Sequence, residues 1–194
     1  MARIPTALFG GSFNPPHVGH VLAVAYVLST ERVERVVVVP VFEHALGKHL
    51  APFEHRVEMA VRAFGWLPRV EVSRIEARLG APSRTLRTIH ALEAEHPDWE
   101  LRLMVGSDIL SEIHQWQAFE EIERRAPPLV LPRTGALTAS GAPQLLPEVS
   151  STEVRALIAA QAKSAESNSA TEVEELVPRA VLAYVREHGL YQEV

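Results

Sequence analysis

No cysteine occurs anywhere in this chain of 194 residues. That absence excludes disulfides, thiolate metal centres and a cysteine nucleophile, and it fits a reducing compartment. A basic surplus is missing as well, since the formal net charge is -5. Duplex nucleic acid is therefore excluded as a main partner, while a local site for a small anion stays open on an acidic protein. The longest apolar runs, residues 21–28 and 36–42, fall far short of a bilayer span. The first residues lack a basic start followed by a long apolar stretch, so no secretory leader is expected. Internal repeats and low-complexity tracts are wanting too. What remains is the expectation of a soluble, cytoplasmic protein with no membrane partner. Apolar residues make up 47% of the chain, enough for a hydrophobic core.

The length suits one domain over residues 1–194, with a core in 1–133 and a distinct segment in 134–194. Continuous apolar, β-branched runs at residues 4–9, 35–39, 69–73, 101–105 and 128–131 read as strands. Helical patterns at 18–29, 52–64, 86–95 and 119–125 fall between them. Alternation of this kind implies an α/β fold, a doubly wound and mainly parallel sheet with helices on both faces. The expected strand order is 3-2-1-4-5, which opens a ligand crevice at the C-terminal ends of strands one and four. Residues 134–147 read as a loop and 151–161 as a helix. Residues 163–170 read as a small, polar surface connection, and 178–188 as a last helix capped by Gly189. This part forms a small C-terminal helical appendage.

Three motifs carry chemistry. The first runs Gly10-Gly11-Ser12-Phe13-Asn14-Pro15-Pro16-His17-Val18-Gly19-His20 between a strand and a helix. The glycines permit a sharp turn and close approach to a phosphate, and the helix start offers N–H groups and a positive dipole end. His17 and His20, three apart, project from one side of the first turn and suit phosphoryl oxygens. A zinc pair is the weaker alternative, because no third ligand is evident nearby. In the second motif, Ser150, Ser151 and Thr152 precede Arg155. Ser150 and Glu153 have capping-box spacing, yet three hydroxyls and an arginine at a helix tip also make an anion site. The third is Gly106-Ser107-Asp108 at the end of a strand, followed by Trp116. Asp108 suits an N-cap and Trp116 a core position; the topology also brings Asp108 beside the first motif.

The first segment resembles the phosphate-binding signature of the nucleotidyltransferase superfamily with the (T/H)xGH motif, here His17-Val18-Gly19-His20. The second resembles the SSTxxR segment with which that superfamily holds ATP phosphates. Gly106-Ser107-Asp108 with Trp116 is similar to the nicotinate-nucleotide adenylyltransferases, in which the acidic residue meets a ribose or the metal-nucleotide region and the tryptophan stacks on the pyridine ring. The stretch His44-Ala45-Leu46-Gly47-Lys48, with Phe53–Met59 after it, resembles the family's basic loop and helix start. Lys48 is then a candidate for the triphosphate, against the alternative of a solvated lysine. A metal cluster of His44, His49 and His55 is a remoter alternative. The C-terminal segment from Val177 to Tyr191 resembles the family's closing helix, a packing signature.

The resemblance implies transfer of AMP from ATP to nicotinate mononucleotide, giving the dinucleotide and pyrophosphate without a covalent enzyme intermediate. It implies catalytic roles for His17, His20 and Lys48. ATP would contact Gly10, Gly11, Ser12, Phe13, Gly106, Asp108, Ser150, Ser151, Thr152 and Arg155. The mononucleotide would contact Ser83, Arg84, Thr85, Asp108 and Trp116. Mg²⁺ would be the cofactor, held mainly by phosphates rather than by protein ligands. A homo-oligomer is compatible with all of this. The family commonly has tyrosine where Arg84 stands and aspartate where Arg87 stands, so these arginines bear on the choice between acid and amide mononucleotides. A sister adenylyl- or cytidylyltransferase with another phosphorylated substrate is the first alternative, and a non-catalytic nucleotide-binding module the second.

Overall fold

The computed structural model describes residues 3–43, 47, 49–107, 116, 118–131, 146–163 and 167–192. Strands β1 (Ile4–Gly11), β2 (Arg35–Pro40), β3 (Val70–Val72), β4 (Trp99–Gly106) and β5 (Pro128–Leu131) form one sheet in the order β3-β2-β1-β4-β5. Every pairing is parallel. Strands buried on both faces need no polar alternation, and here successive valines serve opposite layers. Val36 and Val38 join one core cluster while Val37 and Val39 join the other. Ala7 and Phe9 likewise face one side of β1 and Leu8 the other.

Helices α1 (Val18–Thr30) and α2 (Phe53–Phe64) cover the first face. So do α6 (Ser151–Lys163), α7 (Ser167–Leu176) and α8 (Arg179–Glu187). Helices α3 (Ile75–Leu79), α4 (Thr85–Glu95) and α5 (Phe119–Arg125) supply Ile75, Ile89, Leu92 and Ile122 to the second face. Helix α2 shows the logic of burial: Phe53, Val57, Ala60 and Phe64 recur at helical spacing and are all buried. The α8 terminus closes as expected, with Gly189 at φ 59° and the Leu190 N–H donating to the Val185 carbonyl at 3.0 Å.

The register Leu8↔Leu103 brings the ends of β1 and β4, at Gly11 and Gly106, side by side. The topological switch point, where a crevice is expected, therefore falls at these two ends. Two elements differ from expectation. Helix α3 is a single extra turn and a half, stopped by Gly80 at φ 75°; five residues carry too little periodicity to announce themselves. Helix α7 begins at Ser167, inside the stretch read as a polar connection. Its apolar anchors, Val173 and Leu176, come only in the last turns, so the small polar start hides the helix. Most of the anticipated loop at 134–147 lies outside the described residues, but Leu146 is buried in the first core. Among the described residues no helix is long and apolar enough to cross a membrane.

Phe64 is fully buried, edge-on to Phe9 and Phe13 at 6.5 and 5.6 Å. Phe64→Ala is expected to destabilise the fold by about 3–5 kcal/mol, the cost of an aromatic-sized core deletion, measured as a shifted urea midpoint.

Candidate active site

The segment from Gly10 to His20 wraps the end of β1 into the start of α1. Gly10 is exposed, and a Cβ there would meet nothing within 4 Å. A Cβ on Gly11 would press on the Phe13 ring at 3.0 Å. Phe13 takes a left-handed φ of 47° while its ring, 1% exposed, sits in the core against Phe9. Such a backbone costs energy for a bulky residue and persists because the ring is buried. Phe13 can therefore serve a ligand only through its backbone.

His17 is the N-cap of α1 and is buried. Its ring lies against that of His20, with centroids 3.7 Å apart and planes inclined by 32°. The His17 backbone N–H donates to Nδ1 of His20 at 3.2 Å. With Nδ1 accepting, the neutral His20 ring carries its proton on Nε2, as a donor. Gly19 makes this stack possible, since a Cβ there would stand 3.1 Å from Nδ1 of His17 and 3.0 Å from Cγ1 of Val149.

The tip of α6 docks on the same loop. Ser151 Oγ donates to the Pro15 carbonyl at 2.9 Å. Arg155 Nη1 donates to the Asn14 carbonyl at 2.9 Å and to the Ser151 carbonyl at 3.1 Å, and Nη2 reaches Thr152 Oγ1 at 3.2 Å. The capping box is present as well: the Glu153 N–H donates to Ser150 Oγ at 3.2 Å, and the Ser150 N–H to the Glu153 carboxylate at 3.4 Å. Ser150 and Thr152 are thus engaged as acceptors, and their hydroxyl protons point elsewhere. Ser151 spends its proton on Pro15, so it ties the two motifs together rather than offering a donor.

On the other rim, Ser83 Oγ accepts from the backbone N–H groups of Phe42 and Glu43 at 2.9 and 3.3 Å. This fixes the start of α4 to the chain leaving β2. Arg84 is the N-cap of α4 and is exposed, and Thr85 follows in the first turn. Arg87 is turned away, donating to the Leu79 and Gly80 carbonyls that end α3. Trp116 is half-buried against the second core cluster, part core and part surface. Gly106 closes β4. Lys48, Asp108 and His44 lie outside the described residues. His55 belongs to helix packing: its Nδ1 is 2.9 Å from the Tyr184 hydroxyl, and its ring also contacts His188. Among the described residues no group of three histidine, cysteine or acidic side chains is placed to hold a metal.

The profile of the cytidylyltransferase-like family matches residues 8–157. A probable nicotinate-nucleotide adenylyltransferase of Myxococcus xanthus (strain DK1622) is 42% identical over 192 residues, covering 97% of this chain and 95% of the relative. Another from Anaeromyxobacter sp. (strain K) is 43% identical over 189 residues, covering 96% of each. The chain belongs to the nicotinate-nucleotide adenylyltransferase family. The same fold is found in the Plasmodium falciparum nicotinic acid mononucleotide adenylyltransferase complexed with NaAD. The TM-score is 0.80 at 17% identity, with 97% of this chain and 98% of that one covered.

Three residues lie inside the quoted segments but were given no site role there. Arg56 is 1% exposed and donates to four carbonyls: Ala51 at 2.8 Å, Ser12 at 3.1 Å, Val41 at 2.7 Å and Phe42 at 3.0 Å. Burial pulls its pKa below the ordinary arginine value, and the nearby Tyr191 offsets part of that. One signal was available, since an arginine three residues after Phe53 falls on the apolar face of α2. Asn14 is buried, and its Oδ1 accepts from the Ala51 N–H at 3.0 Å and the Tyr191 hydroxyl at 2.8 Å. Tyr191 therefore does more than close the C-terminal helix, and nothing local in the sequence announces a partner 177 residues away.

Burial raises the Tyr191 phenol well above the ordinary tyrosine value, although Arg155 and Arg56 act in the opposite sense. A raised folded pKa means that this stabilisation is complete below the unfolded value of about 10 and is lost as pH rises beyond it. The urea midpoint is expected to fall more steeply above about pH 10 in the wild type than in Tyr191→Phe.

Proposed function

We propose that this chain transfers AMP from ATP to nicotinate mononucleotide, forming the dinucleotide and pyrophosphate in cytoplasmic NAD biosynthesis. One observation carries the reading: the His17–His20 stack and the Ser151–Arg155 helix tip meet on a single loop, joined through the Asn14 and Pro15 carbonyls. The family membership and the names of the relatives support the substrate assignment.

A 5′-phosphate oxygen of the mononucleotide attacks the α-phosphorus of ATP in line. The new P–O bond forms as the bond to the bridging oxygen breaks, and that electron pair leaves with pyrophosphate. The nucleophile is already an anion, so positioning and charge neutralisation do most of the work. His17 and His20 serve the α- and β-phosphoryl oxygens. Arg155, Ser150, Thr152 and Lys48 serve the β and γ groups, with Ser151 fixing the helix tip. The side chains gathered here are N–H and O–H donors, a set that fits phosphoryl oxygens. Mg²⁺ accordingly fits as an ion carried by the triphosphate, where it would neutralise charge on the leaving group. Gly10, Gly11 and the Ser12–Phe13 backbone line the nucleotide's approach, with Gly106 beside them, and Asp108 is assigned to the nucleotide by the family resemblance. Ser83, Thr85 and Trp116 line the pyridine side.

Of the two arginines we assign Arg84 to the nicotinate carboxylate, a choice supported by the Arg87 guanidinium being occupied by the end of α3. Pyrophosphate release from ATP with a panel of phosphorylated acceptors tests the whole reading: nicotinate mononucleotide should be the best substrate, and preference for another acceptor sinks it. In the same assay His20→Ala is expected to lower turnover on the order of a hundredfold, the scale of losing one charge-stabilising donor. Arg84→Ala should erode the preference for acid over amide, whereas Arg87→Ala should leave it unchanged.

A further inference from the structure

Loops satisfy their carbonyls with whatever donors are near, and the direction of each carbonyl also fixes where the next N–H points. Between β1 and α1 the carbonyls of Ser12, Asn14 and Pro15 all turn toward the protein, onto Arg56, Arg155 and Ser151. The Ser12–Phe13 peptide is trans. A trans unit sets its C=O and N–H on opposite sides. With the Ser12 oxygen on the Arg56 guanidinium, the Phe13 N–H therefore points away from Arg56. Pro15 and Pro16, next along the loop, have no N–H to offer. The Phe13 N–H has no acceptor among the described residues.

Arg56 itself is in no position to touch a ligand. It is 1% exposed, and its four hydrogen bonds to carbonyls of three separate segments hold the guanidinium still. Among the described residues it makes no ion pair with a carboxylate. A buried charge without a counter-charge is costly, and this one is kept directly behind a peptide whose N–H faces outward. A cation on a carbonyl oxygen polarises the peptide and makes its N–H a stronger donor, as in any chain of hydrogen bonds.

We propose that Arg56 is a positioning residue for the phosphate site, acting through the Ser12–Phe13 peptide to aim and strengthen the Phe13 N–H as a donor to a phosphoryl oxygen of ATP. The inference rests on the assignment of this loop as the ATP phosphate site. It extends the site one layer inward, to a residue that no substrate atom reaches. Arg56 also holds the Val41 and Phe42 carbonyls, so the same guanidinium sets the chain that leads from β2 to Ser83.

The test titrates ¹⁵N-labelled protein with α,β-methylene ATP, which binds without transferring AMP, and follows the Phe13 amide. In the wild type this proton should move downfield on saturation. In Arg56→Lys, which keeps a charge but loses the fork, the movement should shrink by at least half. The KM for ATP should rise on the order of tenfold while that for the mononucleotide stays within about threefold. Arg56→Gln, without the charge, should go further in the same direction. If both variants merely melt at lower temperature, with wild-type ATP KM and an undiminished Phe13 response, Arg56 is a structural clamp only and the proposal is overturned. If wild-type resonances elsewhere saturate but Phe13 does not respond, the donor assignment is wrong, and that result stands even if a variant does not fold. If no wild-type resonance moves at all, the ATP site itself fails, a result distinct from the other two.

Discussion

A loop with two consecutive prolines makes no ladder of its own, so its carbonyl groups must find donors in the rest of the molecule. That requirement organises this protein. Arg56 from α2, Arg155 and Ser151 from α6, and the buried Asn14 held by Ala51 and Tyr191 together determine the path from Ser12 to His17. Remove those donors and the His17–His20 stack has no fixed foundation, however intact the sheet beneath it. The two guanidiniums do more than satisfy hydrogen bonds. They place positive charge around the segment proposed to receive a polyanion, and low dielectric makes such charge effective over short distances.

The sheet is generic by comparison. Two opposed layers of aliphatic side chains on five parallel strands specify only that helices must cover both faces. What makes the scaffold useful is the reversal of winding at β1 and β4, which leaves their C-terminal ends uncovered by a crossover. Gly10 at that edge has open space where its side chain would be, and Gly19 has none. The two glycines answer opposite needs, one leaving room for a visitor and the other letting two imidazoles and Val149 close together.

Much of this was readable in the chain itself. Continuous valines at 36–39 and the spacing of His17 and His20 pointed to the strands and the first motif, because each reflects a local rule, whereas Gly10 and Gly11, read as a turn, instead continue β1 in register with Val39 and Pro40. Ser151 and Arg155 read as anion-directed side chains, and that reading did not announce their docking on the Pro15 and Asn14 carbonyls. In the structure these side chains bind carbonyls, a related use of the same donors. Arg56, Asn14 and Tyr191 were not visible in that way. Their partners are backbone atoms or residues far along the chain, and a carbonyl oxygen carries no trace in the sequence. Helix α7 was concealed for a different reason, since its apolar anchors on the core, Val173 and Leu176, come after a small polar start.

Three of the ties that hold the loop join residues 136, 141 and 177 positions apart, farther than the pairings of β1 with β2 and with β4 beneath it. Contacts of such separation bear the greatest loop-closure entropy and are the slowest to form. They also tie the loop to α6 and to the chain after α8, whose apolar side chains share one core cluster with α1 and α2. The path of the loop is therefore a property of the whole chain, settled only where its two distant ends meet.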